Sequence, residues 1–447
     1  MTNEAQVDQL FAEWDKPDSP GAAYCIIDKR GIRYMRGYGM ANLEYDIPIT
    51  PSTIFDIASV SKQFGALAIA MLANEGRMSL DDDIRAYLMD FPDLGNPITV
   101  RHLLHHTSGL RDWVQSFAIA GVQVDDVIAF KHILKFARRQ KALNFVPGAE
   151  YLYSNTGYNL LAEIVERVTG QSFSAWTAAQ IFEPLGMTNT HFHDDHEQIV
   201  KKRAYSYEPA NNGGFKNAVN NLTALASSSL YTTVEDLAKW VSNFEHARVG
   251  GEHVLAQMEE RGTLNSGEKI AYAFGQAIGE YRGLKTVDHG GSWRGFRSTL
   301  LRFPDQGFAV IILANLSTFE PARIARQMAD IYLDGEMSPK PTETRAPETA
   351  EAQAPESESP TTDALLALTG NYYSLELDTT YTLVVEDGQL VAKHWRNDDI
   401  RLTPAGDSFK GSAWFFPELR FMKDQANAVA GFHLSGGRVR HLWFSRR

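Results

Sequence analysis

The chain has 447 residues, a mass of 49.9 kDa and a net charge of −12 at pH 7. This length predicts two or three domains, and an acidic balance without any basic stripe argues against nucleic acid as a partner. The single cysteine, Cys25, excludes an internal disulfide. No apolar run is long enough to span a bilayer, and residues 1–14 do not resemble a secretory signal. We therefore expect a cytoplasmic protein without a membrane partner, although a secreted chain trimmed of its leader would look the same.

The first predicted elements are an amphipathic helix over residues 1–14 and a β-hairpin formed by residues 21–27 and 32–38. Helical patterns then dominate at residues 98–106, 124–139, 158–169, 173–183 and 234–246. Strand patterns return at residues 271–278, 299–303 and 308–313, before a last helix over 321–333. Strands, a long helical insertion and strands again predict an α/β layer: an antiparallel sheet flanked by helices, with an inserted helical region.

The composition changes after residue 337. Residues 338–362 are rich in Pro, Glu, Thr and Ala, which predicts an extended linker. Short β-runs follow at residues 381–385, 390–395, 414–416, 419–422, 429–434 and 439–444, and they predict a small antiparallel barrel. We therefore predict a large α/β domain over residues 1–337, a linker over residues 338–362 and a separate all-β barrel over residues 363–447.

A candidate nucleophile lies where a buried helix begins. Ser59 and Lys62 are three residues apart at the start of an apolar run, so the amine can reach the hydroxyl. Serine needs a neighbouring base, and lysine serves as one when burial favours its neutral form. The same spacing recurs at Ser266 and Lys269, but that polar turn has no apolar helix behind it, and we discard it.

Two further segments carry groups that can complete this chemistry. Tyr153 and Asn155 lie in a loop before a helix, where a tyrosine can relay a proton, although a packing tyrosine is equally common. His289 precedes Gly290 and Gly291, which allow a ligand to approach the backbone and an N–H group to face an oxyanion. Taken alone, such a turn is more often structural.

Together, these segments resemble the three motifs of the serine β-lactamase and penicillin-binding-protein superfamily, Ser-x-x-Lys, Tyr-x-Asn and Lys/His-x-Gly. The branch in question holds class C β-lactamases, D-aminopeptidases, D,D-carboxypeptidases and related esterases. Family-like segments at residues 103–110, 184–187 and 232–238 extend the resemblance over about residues 5–335. The resemblance implies that Ser59 is acylated, that Lys62 and Tyr153 form its acid/base pair, and that Asn155 holds Lys62 and a substrate amide.

The same resemblance implies an oxyanion hole made by the backbone N–H groups of Ser59 and Ser292, deacylation by water, and no cofactor. His289 departs from the lysine that many β-lactamases and D,D-peptidases carry, and a neutral histidine holds a substrate carboxylate less strongly. A peptidase of the D-aminopeptidase or carboxypeptidase type acting on a small molecule or short peptide is therefore favoured. A carboxylesterase or weak β-lactamase is the alternative. The barrel resembles the lipocalin-like domains of some members, which implies that it borders the substrate cleft and narrows access to it.

Two other classes of function stay open. One is a metal-dependent hydrolase, because a His-x-His-x-Asp-His pattern resembles a zinc motif of the metallo-β-lactamase fold; its histidines are His191, His193 and His196. No later ligands complete that pattern. A second group at helical spacing is better explained by capping and packing, and it contains His102, His105 and His106. The other class is a penicillin-binding sensor without turnover, against which the intact motifs argue. A homo-oligomer also stays open.

Overall fold

The computed structural model describes residues 2–340 and 360–447. The first of these ranges contains thirteen strands, of which six form one sheet. In chain order they are β1 (Ala22–Asp28), β2 (Gly31–Tyr38), β3 (Met40–Asn42), β4 (Ile47–Pro48), β5 (Phe55–Asp56), β6 (His191–Phe192), β7 (Tyr207–Pro209), β8 (Phe215–Asn217), β9 (Leu230–Thr232), β10 (Ala277–Tyr281), β11 (Leu284–Trp293), β12 (Phe296–Phe303) and β13 (Phe308–Ala314).

The α-helices of the described residues lie mainly between β5 and β10. They are α1 (Asn3–Leu10), α2 (Lys62–Asn74), α3 (Val100–Leu104), α4 (Trp113–Ile119), α5 (Phe130–Arg139), α6 (Asn155–Thr169), α7 (Phe173–Thr177), α8 (Glu183–Leu185), α9 (Val234–His246), α10 (Gly251–Gln257), α11 (Pro321–Leu333) and α12 (Thr362–Leu366). A π-helical turn at residues 178–182 joins α7 to α8 without a break. Within residues 2–340 and 360–447, no helix combines the length and apolar character needed to cross a membrane.

The main sheet is antiparallel and has the order β10-β11-β12-β13-β1-β2. Side chains of β1 alternate between two cores because successive residues of a strand point to opposite faces. Cys25 packs with α2 and α9 on one face, whereas Tyr24 packs with α1 and α11 on the other. Layers of helices therefore cover both faces of the sheet, and β1 and β13 read as continuous apolar runs.

A closed barrel of eight antiparallel strands follows the sheet domain. Its strands are β14 (Gly370–Ser374), β15 (Thr379–Glu386), β16 (Gln389–Lys393), β17 (Ile400–Ala405), β18 (Ser408–Gly411), β19 (Glu418–Lys423), β20 (Val429–Gly436) and β21 (Val439–Arg446). Aromatic and aliphatic side chains fill the barrel interior, among them Tyr372, Tyr381, Phe432 and Phe444, so the interior is a packed core. The barrel and the helix-flanked antiparallel sheet confirm the predicted fold class. Most of the predicted linker, residues 341–359, lies outside the described residues.

Three predicted elements differ most from the structure. The helix expected over 124–139 begins only at Phe130, because Asp126 closes a turn on Gln123 and the backbone of Ile128 pairs with a distant segment. The strand expected over 271–278 starts at Ala277. Residues 414–416 form a turn whose Phe416 fills the barrel, so their aromatic character reflects burial rather than strand pairing.

Candidate active site

Ser59 lies in a tight turn that leads directly into α2. Residues 58–61 form a 3-10 turn, and Lys62 is the first residue of the buried helix. Ala58 has a φ of 47°, which is uncommon for alanine, and its N–H donates to Asp56 Oδ1 over 2.8 Å. The buried carboxyl of Asp56 thus holds the strained residue that precedes Ser59. Strain of this kind persists only where neighbouring groups fix the backbone.

Lys62 is fully buried beside Ser59. Its Nζ lies 3.2 Å from Ser59 Oγ, 2.8 Å from Asn155 Oδ1 and 2.7 Å from the carbonyl oxygen of Ser227. Burial lowers the pKa of Lys62 well below its usual value; the Asp112 carboxylate opposes this change, and Arg438 adds to it. An amine in this setting is available in its neutral form and can accept the proton of the serine hydroxyl.

Tyr153 packs over the same amine, with Lys62 Nζ 4.8 Å from its ring centroid. Burial raises the pKa of Tyr153, and the nearby Ser59 hydroxyl offsets part of that rise. The Tyr153 hydroxyl is itself buried, and it forms no hydrogen bond with any of the described residues. The His106 ring also packs against Tyr153, at a centroid distance of 4.1 Å, and its Nδ1 accepts the Ser154 N–H. Tyr153 is therefore held as a phenol that still has a proton to give.

Asp112 positions the Asn155 amide that contacts Lys62. Its Oδ2 accepts from the Asn155 backbone N–H at 2.7 Å and from the Asn155 Nδ2 at 2.8 Å. The other oxygen, Oδ1, caps α4 by accepting from the Val114 N–H. Because the side-chain Nδ2 is fixed as a donor, Oδ1 of Asn155 must point toward Lys62.

The third motif lies on β11, beside the Ser59 turn. β10 pairs with β11 only as far as Asp288, so residues 289–293 have a backbone edge that is free of the β10 ladder. A Cβ atom on Gly291 would lie 2.1 Å from the carbonyl oxygen of Ile57, and glycine is required there by this close approach. Ser298 Oγ donates to that same carbonyl at 2.7 Å. The N–H groups of Ser59 and Ser292 thus belong to two segments that are packed directly against each other.

His289 is neutral in this arrangement. Its Nδ1 lies 2.6 Å from the carbonyl oxygen of Gly290, which can only accept, so Nδ1 carries the proton. Its Nε2, at 2.9 Å, then accepts from the hydroxyl of Tyr272. Burial, together with the charge of Lys62, lowers the pKa of His289 to about 3. This imidazole carries no positive charge for a ligand.

These groups open into one cavity of about 510 Å³. Apolar side chains of Trp113, Val114, Leu222 and Trp293 form part of its wall, and Ser59, Tyr153, Asn155 and residues 289–292 contribute the polar part. The structure therefore brings together every residue that the sequence proposed for the site. It also adds Arg438, which comes from the hairpin between β20 and β21 of the barrel.

The profile of the family described as Beta-lactamase matches residues 7–333. The chain belongs to the Beta-lactamase family. It is 27% identical over 313 residues to a D-aminopeptidase of Gluconobacter oxydans (strain 621H), an alignment that covers 70% of this chain and 58% of that protein. A D-aminopeptidase of Brucella canis is 28% identical over 296 residues, with 66% and 56% covered. The chain thus spans less than two thirds of the length of these curated relatives.

Solved structures of other proteins share the fold of this family member. An octameric penicillin-binding protein homologue from Pyrococcus abyssi superposes with a TM-score of 0.67 at 24% identity, covering 100% of both chains. A D-amino acid amidase from Ochrobactrum anthropi SV3 gives a TM-score of 0.63 at 23% identity, covering 75% of this chain and 98% of that one.

Polar contacts fix the barrel against the helical region of the family domain. Arg111, which is 1% exposed, forms an ion pair of 3.1 Å with Glu376 and donates to the carbonyl oxygen of Arg440. On the barrel hairpin, the Arg438 N–H donates to Gln115 Oε1 at 2.7 Å. Sequence reasoning missed Arg111, Asp112 and Arg438. Only Asp112 gave a signal, as an N-cap residue before the apolar start of α4.

The three histidines of the zinc-like pattern lie apart from this cavity. His191 and His193 flank the ring of Tyr231, and His196 lines a separate cavity of about 240 Å³. Among residues 2–340 and 360–447, no three His, Cys, Asp or Glu side chains are grouped to hold a metal ion. His102 caps α3, as packing and capping predict.

Proposed function

We propose that this chain is a serine hydrolase that cleaves an amide or ester bond of a small substrate through an acyl-enzyme on Ser59. The observation that carries the proposal is the fully buried Lys62 amine, 3.2 Å from Ser59 Oγ, with a pKa lowered by burial. Family membership supports it, as do the D-aminopeptidase relatives.

Acylation starts when Ser59 Oγ attacks the carbonyl carbon and its proton passes to Lys62 Nζ. The N–H groups of Ser59 and Ser292 stabilise the oxyanion of the tetrahedral intermediate. The bond to the leaving group then breaks as Tyr153 donates its proton to the departing nitrogen or oxygen, and Lys62 returns a proton to Tyr153. Water attacks the acyl carbon, the ester bond to Ser59 breaks, and the serine regains its proton.

The substrate class we propose is a small amide or short peptide, of the D-aminopeptidase or carboxypeptidase type. The D-aminopeptidases of Gluconobacter oxydans and Brucella canis support this class, although the chain spans only 58% and 56% of them. A cavity of about 510 Å³ also suits a ligand of a few residues. The fold shared with an octameric homologue supports a homo-oligomer as the assembly.

Turnover of D- and L-amino-acid anilides, matched p-nitrophenyl esters and nitrocefin tests this proposal. We expect Ser59→Ala to abolish turnover, and Lys62→Ala and Tyr153→Phe each to reduce kcat by about 10³-fold or more, because these residues act as a unit. Ser266→Ala, in the discarded copy of the spacing, is the matched control and should keep wild-type rates. Near-normal turnover by purified Ser59→Ala would end the proposal. If turnover of the p-nitrophenyl esters strongly exceeded turnover of the matched anilides, the protein would be assigned as an esterase instead.

A further inference from the structure

The charged groups that line the active-site cavity have one sign. Arg297, from β12, and Arg438, from the barrel hairpin, are its charged lining residues, and no described Asp or Glu contributes to the lining. His289 donates Nδ1–H to the Gly290 carbonyl oxygen, and its burial beside Lys62 lowers its pKa and keeps the imidazole neutral. The cavity thus offers cations to a ligand but no carboxylate that would hold a substrate ammonium group.

The backbone of Arg438 is fixed, while its guanidinium is left available. Its N–H donates to Gln115 Oε1 at 2.7 Å, and its carbonyl oxygen accepts from Asn144 Nδ2 at 3.0 Å. The guanidinium carbon lies 4.8 Å from the Tyr153 ring centroid, and the side chain is 43% exposed. Within the described chain, no residue accepts a hydrogen bond from this guanidinium.

Neither arginine is neutralised by a direct ion-pair hydrogen bond. Arg438 Nη1 lies 3.8 Å from Asp112 Oδ2, which is beyond hydrogen-bond range, and that oxygen already accepts twice from Asn155. Arg297 Nη1 donates only to the carbonyl oxygens of Arg294 and Phe296, at 2.8 and 2.7 Å. In the described part of the chain, no carboxylate lies within 4.0 Å of Arg297. A planar guanidinium group that has no hydrogen-bonded carboxylate within the protein suits a ligand carboxylate, which it can bind with two parallel hydrogen bonds.

We infer that Arg438, with Arg297 as the second cation of the cavity, selects substrates that carry a carboxylate close to the scissile bond. The barrel then completes the substrate site, because it supplies the cation that lies over the Tyr153 ring. The inference rests on the proposed function for turnover, but the binding of a carboxylate does not depend on acylation. It favours a substrate with a free carboxylate over one recognised by a free amino group.

Calorimetric binding to the Ser59→Ala protein tests the inference without turnover. The probes are N-acetylated dipeptides of D- and of L-residues, each ending in a carboxylate or in a carboxamide. We expect the carboxylate form of the preferred series to bind at least about tenfold more tightly, since hydrogen bonds to charged groups are the strong ones. Adding Arg438→Gln should remove that difference, and adding Arg438→Lys should keep part of it. Equal affinity for carboxylate and carboxamide forms would overturn the inference.

Arg420→Gln is the matched control, because Arg420 lies on β19 and pairs with Asp407 at 3.1 Å on the barrel surface. It removes the same charge from the barrel and should keep the carboxylate preference. In the enzyme with Ser59 intact, Arg438→Gln should raise KM for the carboxylate peptide by about tenfold or more relative to KM for its carboxamide counterpart. A Ser59 that forms no acyl-enzyme would refute the proposed function, while a carboxylate preference in the binding assay would still uphold the role of Arg438. If Arg420→Gln also lost the carboxylate preference, the preference would come from the overall charge of the barrel, and the role of Arg438 would be refuted.

Discussion

Gly291 offers a direct test of how β11 and the Ser59 turn are fitted together. In Gly291→Ala, the new Cβ would lie 2.1 Å from the carbonyl oxygen of Ile57 and 2.2 Å from Ser298 Oγ. These two oxygen atoms are hydrogen-bonded to each other at 2.7 Å, so neither can move away without the other. β11 must therefore shift away from the Ser59 turn by roughly 1 Å to bring the new Cβ to an ordinary contact distance.

This retreat affects both stability and catalysis. Overpacking of a buried position costs about 1–3 kcal/mol, and a shift of about 1 Å in catalytic groups reduces the rate by about 10²-fold. We therefore expect Gly291→Ala to lose about 2 kcal/mol in free energy of unfolding, measured by urea denaturation. We also expect kcat on a p-nitrophenyl ester to fall about 100-fold, because the N–H of Ser292 moves away from that of Ser59.

Gly290→Ala controls for the substitution itself. Its Cβ would lie 3.7 Å from the nearest atom, the carbonyl oxygen of Ser298, which is an ordinary contact. Its free energy of unfolding should stay within about 0.5 kcal/mol of the wild type. Gly291→Ala with wild-type kcat and stability would refute the assigned packing of β11 on the Ser59 turn.

Three further substitutions test the groups around the site. Burial raises the pKa of Asp56 to about 6, so wild-type stability relative to Asp56→Asn should fall by about 2.5 kcal/mol as pH rises from 4 to 7.5. Parallel pH profiles of unfolding for the two proteins would contradict this. Asp112 raises the pKa of Lys62, so Asp112→Asn should move the acidic limb of the kcat/KM profile to lower pH, and an unmoved limb would count against Lys62 as the base. Glu376→Ala leaves Arg111 buried without its carboxylate and should cost about 3 kcal/mol of unfolding free energy, whereas a loss below about 1 kcal/mol would show that the pair does not secure the barrel.

The groups that could be predicted from sequence share a local signal. Ser59 and Lys62 are three residues apart at the start of an apolar helix, and Tyr153 and Asn155 flank the start of another. The fold class followed from similar local patterns, since continuous apolar runs in the sheet and alternating runs in the barrel are visible without any tertiary contact. The order of the three motifs indicated the family resemblance, and the resemblance then predicted contacts between distant segments. One of them is the contact between Lys62 and Asn155, which are 93 residues apart in the chain.

The groups that could not be predicted depend on docking between distant segments. Arg438 reaches the cavity because its hairpin binds Gln115, 323 residues earlier in the chain, and no periodicity in either segment indicates that contact. Asp112 reads as a helix cap, and its second role follows only from the position of Asn155 in space. His106 reads as one of three histidines at helical spacing, and its support of Tyr153 requires the folded loop.

Intact-mass spectrometry after exposure to a fluorophosphonate, with peptide mapping of the adduct, tests the central claim most directly. The account predicts a single adduct, located on Ser59 and absent from Ser59→Ala, while Ser266 stays unmodified. An adduct at another residue, or no adduct in a protein that still hydrolyses esters, would contradict Ser59 as the nucleophile.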